Sequence, residues 1–368
     1  MPLDPFFSER LRVHRRYLIR QRVDAIRSRV ASWRSLLGWT RDDSPHGTVV
    51  PAASPSKPAS GSERSRARAK HRRAAFAWDR RELQTVGTPG PEVRIAEHEV
   101  PVAGFPPVRV RIYYPGPTSD ELIPAWLTFF GGAFRIGGID YPTTDAANRR
   151  RAVDAGVAMV AVDYALAPEY RFPTQIEQAH AALVWLHANA GRWGIDADRL
   201  GVAGTSAGAS IAAALTIANR DRTRVPLRLQ LLEVPVTDLT GRHLDLRATR
   251  ALGIPSIIAL RELRSVARTY LARPSDAKNP LASPLRAASH AGLPEAVILT
   301  AEYDPLRGDG AAYAAALRTA GVAASAVQYL GVTHDSAIFT GALPAARRWH
   351  RDVVAALTRL HDVPDSGS

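Results

Sequence analysis

Gly204-Thr205-Ser206-Ala207-Gly208 constrains this chain more than any other stretch. An apolar run, Leu200-Gly201-Val202-Ala203, leads into it, and a helix-forming run from Ala207 to Ala218 follows. Strand, G-x-S-x-G, helix is the setting in which a serine is held at a sharp elbow with its hydroxyl exposed. The turn is too sharp for bulky side chains, so small residues stand on both sides of the serine. Gly/Ser-rich turns are common, however. By itself the pentapeptide leaves an ordinary turn open, and the rest of the chain has to decide.

The pattern around the elbow is that of an α/β domain. Val93–Val102 and Val108–Tyr114 alternate as an antiparallel strand pair, and Ala125–Phe130 is a short apolar strand ending in Gly131-Gly132. Further strands are expected at Val157–Asp163, Leu200–Ala203, Leu227–Val234, Val297–Glu302 and Ala324–Leu330. Helices are expected at Ile176–Ala190, Ala311–Ala320 and Pro344–Leu360. Strands alternating with helices imply a mainly parallel sheet covered on both faces. Residues 236–288 break the alternation and read as a cap or lid above the sheet. Leu252, Ile254, Ile257, Ile258, Leu260, Leu263 and Val266 give that cap an apolar surface, expected mostly to pack as core. No internal repeat is visible.

Charge is distributed unevenly. Of 48 Lys+Arg and 35 Asp+Glu, residues 1–85 hold 19 and 8, so a nearly neutral body carries a basic extension. High overall charge is therefore no argument for a nucleic-acid partner. The Arg-rich stretch Arg64–Arg73 has no interleaved aromatics and reads as solvated linker. Three regions follow: a basic amphipathic extension at 1–43, a disordered Ser/Pro/Arg-rich linker at 44–75, and an α/β body with its cap at 76–362. In the extension, Ile19, Val23, Ile26, Val30, Trp33 and Leu37 recur at spacings of four and three, placing one apolar face on a helix over 8–38. Three roles are open for it: docking on the body or cap, peripheral contact with an anionic membrane, or homodimerisation. With no cysteine, neither disulfides nor a thiolate metal site can form. No apolar run of about 18 residues occurs and the N-terminus lacks a signal-peptide core, so the expected location is cytoplasmic, or peripheral at a membrane surface.

Acyl transfer by a serine needs a base to take its proton, an acid to orient the base, and donors for the oxyanion. Each part stands at the end of an expected strand. Ser206 follows the central strand, Asp304 follows Ala296–Tyr303, and His334 closes Gly331-Val332-Thr333-His334. Strand C-termini share one edge of a parallel sheet, so these three can converge. The bland readings are Asp304 as a helix N-cap before Pro305 and His334 as a loop histidine. Asp309 is the nearest alternative acid, but it lies past the strand end.

With these motifs in place the chain resembles the hormone-sensitive lipase family of α/β-hydrolases, in its bacterial branch with a G-T-S-A-G elbow. Asp163-Tyr164-Ala165-Leu166-Ala167-Pro168-Glu169 is similar to the family's D-Y-R-L-A-P-E, and Asp304-Pro305-Leu306-Arg307 to its D-P-L-R. Phe130-Gly131-Gly132-Ala133-Phe134 stands where the family has H-G-G-G-F. The resemblance covers roughly residues 90–360. It implies an α/β-hydrolase fold with a helical cap, a carboxylesterase or lipase activity on small acyl esters, and no metal or organic cofactor. It also implies Ser206 as nucleophile, His334 as base, Asp304 as orienting acid, and the Gly132, Ala133 and Ala207 amides as oxyanion donors. Two departures stand out. Phe130 replaces a histidine that steadies the oxyanion loop, and Asp335 follows the base where the family has glycine. Hydrolysis of another acyl bond, such as an amide, and a binding protein on a hydrolase fold are the alternatives.

Overall fold

The computed structural model describes residues 2–12, 61–117 and 121–362. Two compact units divide at His71/Arg72. Of the first, residues 5–12 are helical. Residues 13–43 of the expected amphipathic extension, and 44–60 of the expected linker, lie outside the described residues. Residues 61–75 correct the linker expectation: they belong to a helix, α1 (Gly61–Val86). Its sequence is dominated by Ala and Arg, both strong helix formers, with Glu63 in the first turn and no proline between Pro58 and Pro89. Poverty in apolar residues signalled disorder, whereas backbone propensity favours helix.

The body is built on one eight-stranded sheet. Its strands are β1 (Ile95–Val102), β2 (Phe105–Tyr113), β3 (Ile123–Phe129), β4 (Ala158–Asp163), β5 (Ile195–Thr205), β6 (Leu229–Glu233), β7 (Glu295–Tyr303) and β8 (Ala324–Thr333). Spatial order is β1-β2-β4-β3-β5-β6-β7-β8. The β1/β2 and β2/β4 pairs are antiparallel and the rest parallel. Every residue of β6 is buried, and β4 is buried except at Asp163, as strands covered on both faces should be.

Between strands run α2 (Pro142–Ala155), α3 (Thr174–Asn189), α4 (Ala207–Arg222), α7 (Arg307–Thr319) and, last, α8 (Pro344–Thr358). α2 packs with α8, and α3 packs with α4. Trp126 of β3 donates its indole N–H to the Leu357 carbonyl of α8, 3.2 Å away. Side chains two apart on a strand share a face, so Thr128 also points toward α8.

α2 had no counterpart in the sequence pattern. It buries only Ala146, Asn148, Ala152 and Ala155, so no stripe of large apolar residues marks it. The legible signals were its ends: Pro142 in the first turn, and Gly156 as a left-handed C-cap with φ 65°.

The cap at 236–288 contains α5 (Leu246–Ala251) and α6 (Ser256–Tyr270). Its apolar residues are less buried than expected. Val266 alone of the seven is fully buried, while Ile257 is 69% exposed and Ile258 54%. Apolar composition predicts core packing, but composition does not say which side chains of a cap are covered. Among the described residues no helix is long and apolar enough to cross a membrane.

Candidate active site

Parallel register fixes where the site forms. Phe129 pairs with Gly204, Thr205 with Glu233, and Tyr303 with Thr333. The residues that follow, from Phe130 to Gly132, Ser206, Asp304 and His334, therefore leave the sheet along one edge. The chain turns from β3 outward to β4 and then back to β5, so the edge opens at the switch point of an α/β sheet, where such folds hold ligands.

The elbow is strained and tightly closed. Ser206 has φ 55° and ψ −114°, outside the regions L-residues favour. A Cβ on Gly204 would lie 2.2 Å from the Gly208 carbonyl oxygen, and one on Gly208 would lie 2.1 Å from that of Phe129. Only glycine permits either approach. The Ser206 amide donates to the Glu233 carbonyl at 2.8 Å, pinning the turn to β6. Ala207 opens α4 as its first residue, where a backbone N–H has no intrahelical acceptor.

Ser206, His334 and Asp304 are brought together. His334 Nε2 lies 3.0 Å from Ser206 Oγ, and Nδ1 lies 2.6 Å from Asp304 Oδ2. A carboxylate only accepts, so Nδ1 carries the proton. Nε2 of the neutral ring is then free to accept from the serine hydroxyl. Asp304 is 2% exposed, and its Oδ1 accepts from the Leu306 amide at 2.9 Å, so the carboxylate is fixed from both ends. Burial acts to lower the His334 pKa, but the charge and hydrogen bond of Asp304, with the charge of Asp335, outweigh it and push the ring up to about 9. Asp309 does not join this set. It accepts from the Thr237 and Asp238 amides at 2.8 and 3.0 Å, bracing the entry to the cap.

Opposite the serine, Gly132 and Ala133 form a tight turn in which the Arg135 and Ile136 amides donate to the Gly132 carbonyl. Gly132 has φ 138°, and a Cβ there would strike the Ile136 carbonyl at 2.0 Å. Ala133 has φ 53° and Phe134 φ 61°, so alanine holds a left-handed conformation that glycine would hold more easily. Aromatic packing holds this turn. The Phe130 ring stacks on Tyr164 with centroids 4.1 Å apart, and the Tyr164 hydroxyl donates to the Phe130 carbonyl at 2.8 Å. Phe134 stacks on Tyr270 of the cap at 3.8 Å, and its carbonyl accepts from the Ala167 amide at 2.8 Å. Asp163 and Glu169 are structural here: Asp163 pairs with Arg109, and Glu169 pairs with Arg72.

Sequence reading missed Glu233. It is 1% exposed, pairs with Arg151 at 2.8 Å, and accepts from the Trp349 indole at 2.7 Å and from the Thr205 hydroxyl at 3.2 Å. Its signal was a charged residue ending the apolar run Leu229-Gln230-Leu231-Leu232, at the same edge as the serine. Among the described residues no group of three or more His, Cys, Asp or Glu is placed to hold a metal ion.

Comparison with known proteins agrees with this architecture. The family described as having an alpha/beta hydrolase fold matches residues 126–338. Carboxylesterase NlhH of Mycobacterium tuberculosis is 36% identical over 285 residues, spanning 76% of this chain and 88% of its own length. Ethyl acetate hydrolase of Pseudomonas putida is 38% identical over 229 residues, 61% of this chain and 70% of its own. The crystal structure of EstE1, a thermostable carboxylesterase from a metagenomic library, superposes with a TM-score of 0.72 at 33% identity, covering 80% of this chain and 98% of that one. On the strength of the fold, the site and these relatives, the chain belongs to the hormone-sensitive lipase-like esterase family of α/β-hydrolases.

Proposed function

We propose that the protein is a serine carboxylesterase acting on small acyl esters of short to medium chain length, with Ser206, His334 and Asp304 as its catalytic residues. The carrying observation is the unbroken chain from Ser206 Oγ to His334 Nε2 at 3.0 Å and from His334 Nδ1 to Asp304 Oδ2 at 2.6 Å. In this reading Ser206 Oγ attacks the acyl carbonyl carbon as Nε2 takes its proton. The carbonyl π pair moves onto oxygen, which the Gly132, Ala133 and Ala207 amides receive. Collapse expels the alkoxide leaving group, protonated by Nε2, and leaves an acyl-serine. Water, deprotonated by the same Nε2, then releases the acid and restores the hydroxyl. Asp304 holds the ring in place and steadies the imidazolium. Family membership and relatives named for ester hydrolysis support the ester class.

The test is a chain-length panel of nitrophenyl esters with wild type and Ser206→Ala, alongside labelling by an organophosphonate. Turnover of acetate to octanoate esters and a label on Ser206, both lost in the variant, is the expected result. A folded wild type that cleaves none of the panel and takes no label overturns the reading.

A further inference from the structure

A cavity of about 390 Å³ runs from Ser206 and His334 inward, between the sheet edge and α2. Its size is that of a small-molecule site. Its wall is partly apolar, with Ile136, Ile139 and Leu83 among the lining groups. On the α2 side it meets Thr144, Asn148 and Arg151, spaced four and three apart and so on one helical face, with Thr128 across from them on β3.

Asn148 is the telling residue. It is 4% exposed, yet no protein group among the described residues hydrogen-bonds its amide, and it lines the cavity. Thr128 is 7% exposed and its hydroxyl is likewise without a protein partner. Arg151 adds a buried Nε with no acceptor. Of these, only Arg151 Nε is sealed from water; the Asn148 amide and the Thr128 hydroxyl open on the cavity, so their hydrogen-bond partner is whatever fills it. The charges in the wall fix its character. On the α2 side the charged side chains are already engaged, Arg151 with Glu233, Arg150 with the Thr88 carbonyl and Asp79 with the Thr143 amide, while Asp335 lies at the other end beside His334. An amide and a hydroxyl, each able to donate and accept, suit a neutral group.

We infer that Asn148, with Thr128, forms a polar subsite that reads a neutral hydroxyl or carbonyl group on the ester substrate, so that the enzyme prefers esters bearing such a group over plain alkyl esters. This rests on the carboxylesterase reading. The group can sit on the acyl or on the alcohol part of the ester, and two arms separate these. In the acyl arm, nitrophenyl pentanoate is compared with nitrophenyl hydroxypentanoate and oxopentanoate. In the alcohol arm, butyl butanoate is compared with the butanediol monobutanoate by proton release. Wild type is expected to show a kcat/KM about tenfold higher for the polar substrate in one arm, and Asn148→Leu to bring that ratio to about one. Thr128→Val should lower it by about threefold. Circular dichroism and thermal unfolding establish that each variant is folded; if Asn148→Leu is not, Thr128→Val decides. Wild type that cleaves acetate but shows no polar preference in either arm overturns the inference alone, and the subsite then holds only water. A preference that survives both substitutions overturns it equally. Failure to cleave any ester removes the catalytic reading instead.

Discussion

Ser206 and Gly132 face each other across one cleft, at the ends of strands that pair Phe129 with Gly204, yet they are held there differently. The serine side is organised by hydrogen bonds between charged or polarised groups: Asp304 to His334, His334 to Ser206, and the Ser206 amide to the Glu233 carbonyl. The glycine side is organised by ring stacking, Phe130 on Tyr164 and Phe134 on Tyr270, with single hydrogen bonds from Tyr164 and Ala167. Electrostatic support is strong, directional and sensitive to pH. Packing support is diffuse, insensitive to pH and graded in its failure. Substitutions on the two sides should therefore fail in different ways.

The largest effects belong to the serine side. Ser206→Ala removes the proposed nucleophile and should lower kcat by roughly 10⁴- to 10⁶-fold, with phosphonate labelling abolished. Asp304→Asn keeps the shape but gives the ring a partner that no longer stabilises its charged form. About 10⁴-fold in kcat should be lost, with KM little changed. Steady-state kinetics on one nitrophenyl ester reads both. A loss below about tenfold for Ser206→Ala would show that the serine is not the nucleophile.

The glycine side should fail by degrees. Phe130→Ala removes the ring that fills the Tyr164 contact and loosens the turn carrying the two proposed oxyanion donors, Gly132 and Ala133. A loss of about 10²-fold in kcat is expected, of the order that misplacing one such donor brings. Tyr164→Phe keeps the stack and removes only the hydroxyl that donates to the Phe130 carbonyl, so the loss should stay under about tenfold. Neither variant should displace the pH profile. If Tyr164→Phe proves the more damaging of the two, the hydrogen bond outweighs the stack and the contrast between the two walls falls.

That contrast also explains what the sequence disclosed. The serine side was legible because each participant stands at the end of an apolar strand, and parallel register converts that position into proximity. Ser206, Asp304 and His334 needed no knowledge of packing to be placed on one edge. The glycine side depends on contacts between residues far apart in the chain, Phe130 with Tyr164 and Phe134 with Tyr270. Replacing the family's histidine by phenylalanine read as a loss, and the ring that compensates lay inside a motif already recognised for other reasons. α2 was invisible because alanines and one asparagine make up its buried face, and Asn148 was hidden with it. Residues 61–75 were misread because a Ser/Arg-rich composition resembles linker while alanine and arginine favour helix. The cap's Ile257 and Ile258 stand exposed where apolar composition predicts core, because composition does not report what covers a side chain.

The smallest effect isolates the electrostatic character of the serine side. Asp335 lies beside the base, is exposed, and adds to Asp304 in raising the His334 pKa to about 9. The base works only as the neutral ring, so kcat/KM should climb as pH rises toward that value. Replacing Asp335 by asparagine removes a negative charge that favours the protonated ring. His334 then loses its proton at lower pH, and the acidic limb of the profile moves down. The movement should be a fraction of a pH unit, because an exposed carboxylate acts through water, and raising the salt should shrink it further. The same linkage has a second readout. A histidine whose folded pKa exceeds its unfolded value stabilises the fold fully below about pH 6.5, and that contribution is lost as pH rises through about 9. Asp335→Asn should trim it, so the variant's Tm should fall slightly below wild type near pH 6 and converge with it above pH 9. A limb that stays in place at low salt would mean that Asp304 alone sets the base, and that Asp335 faces solvent without consequence.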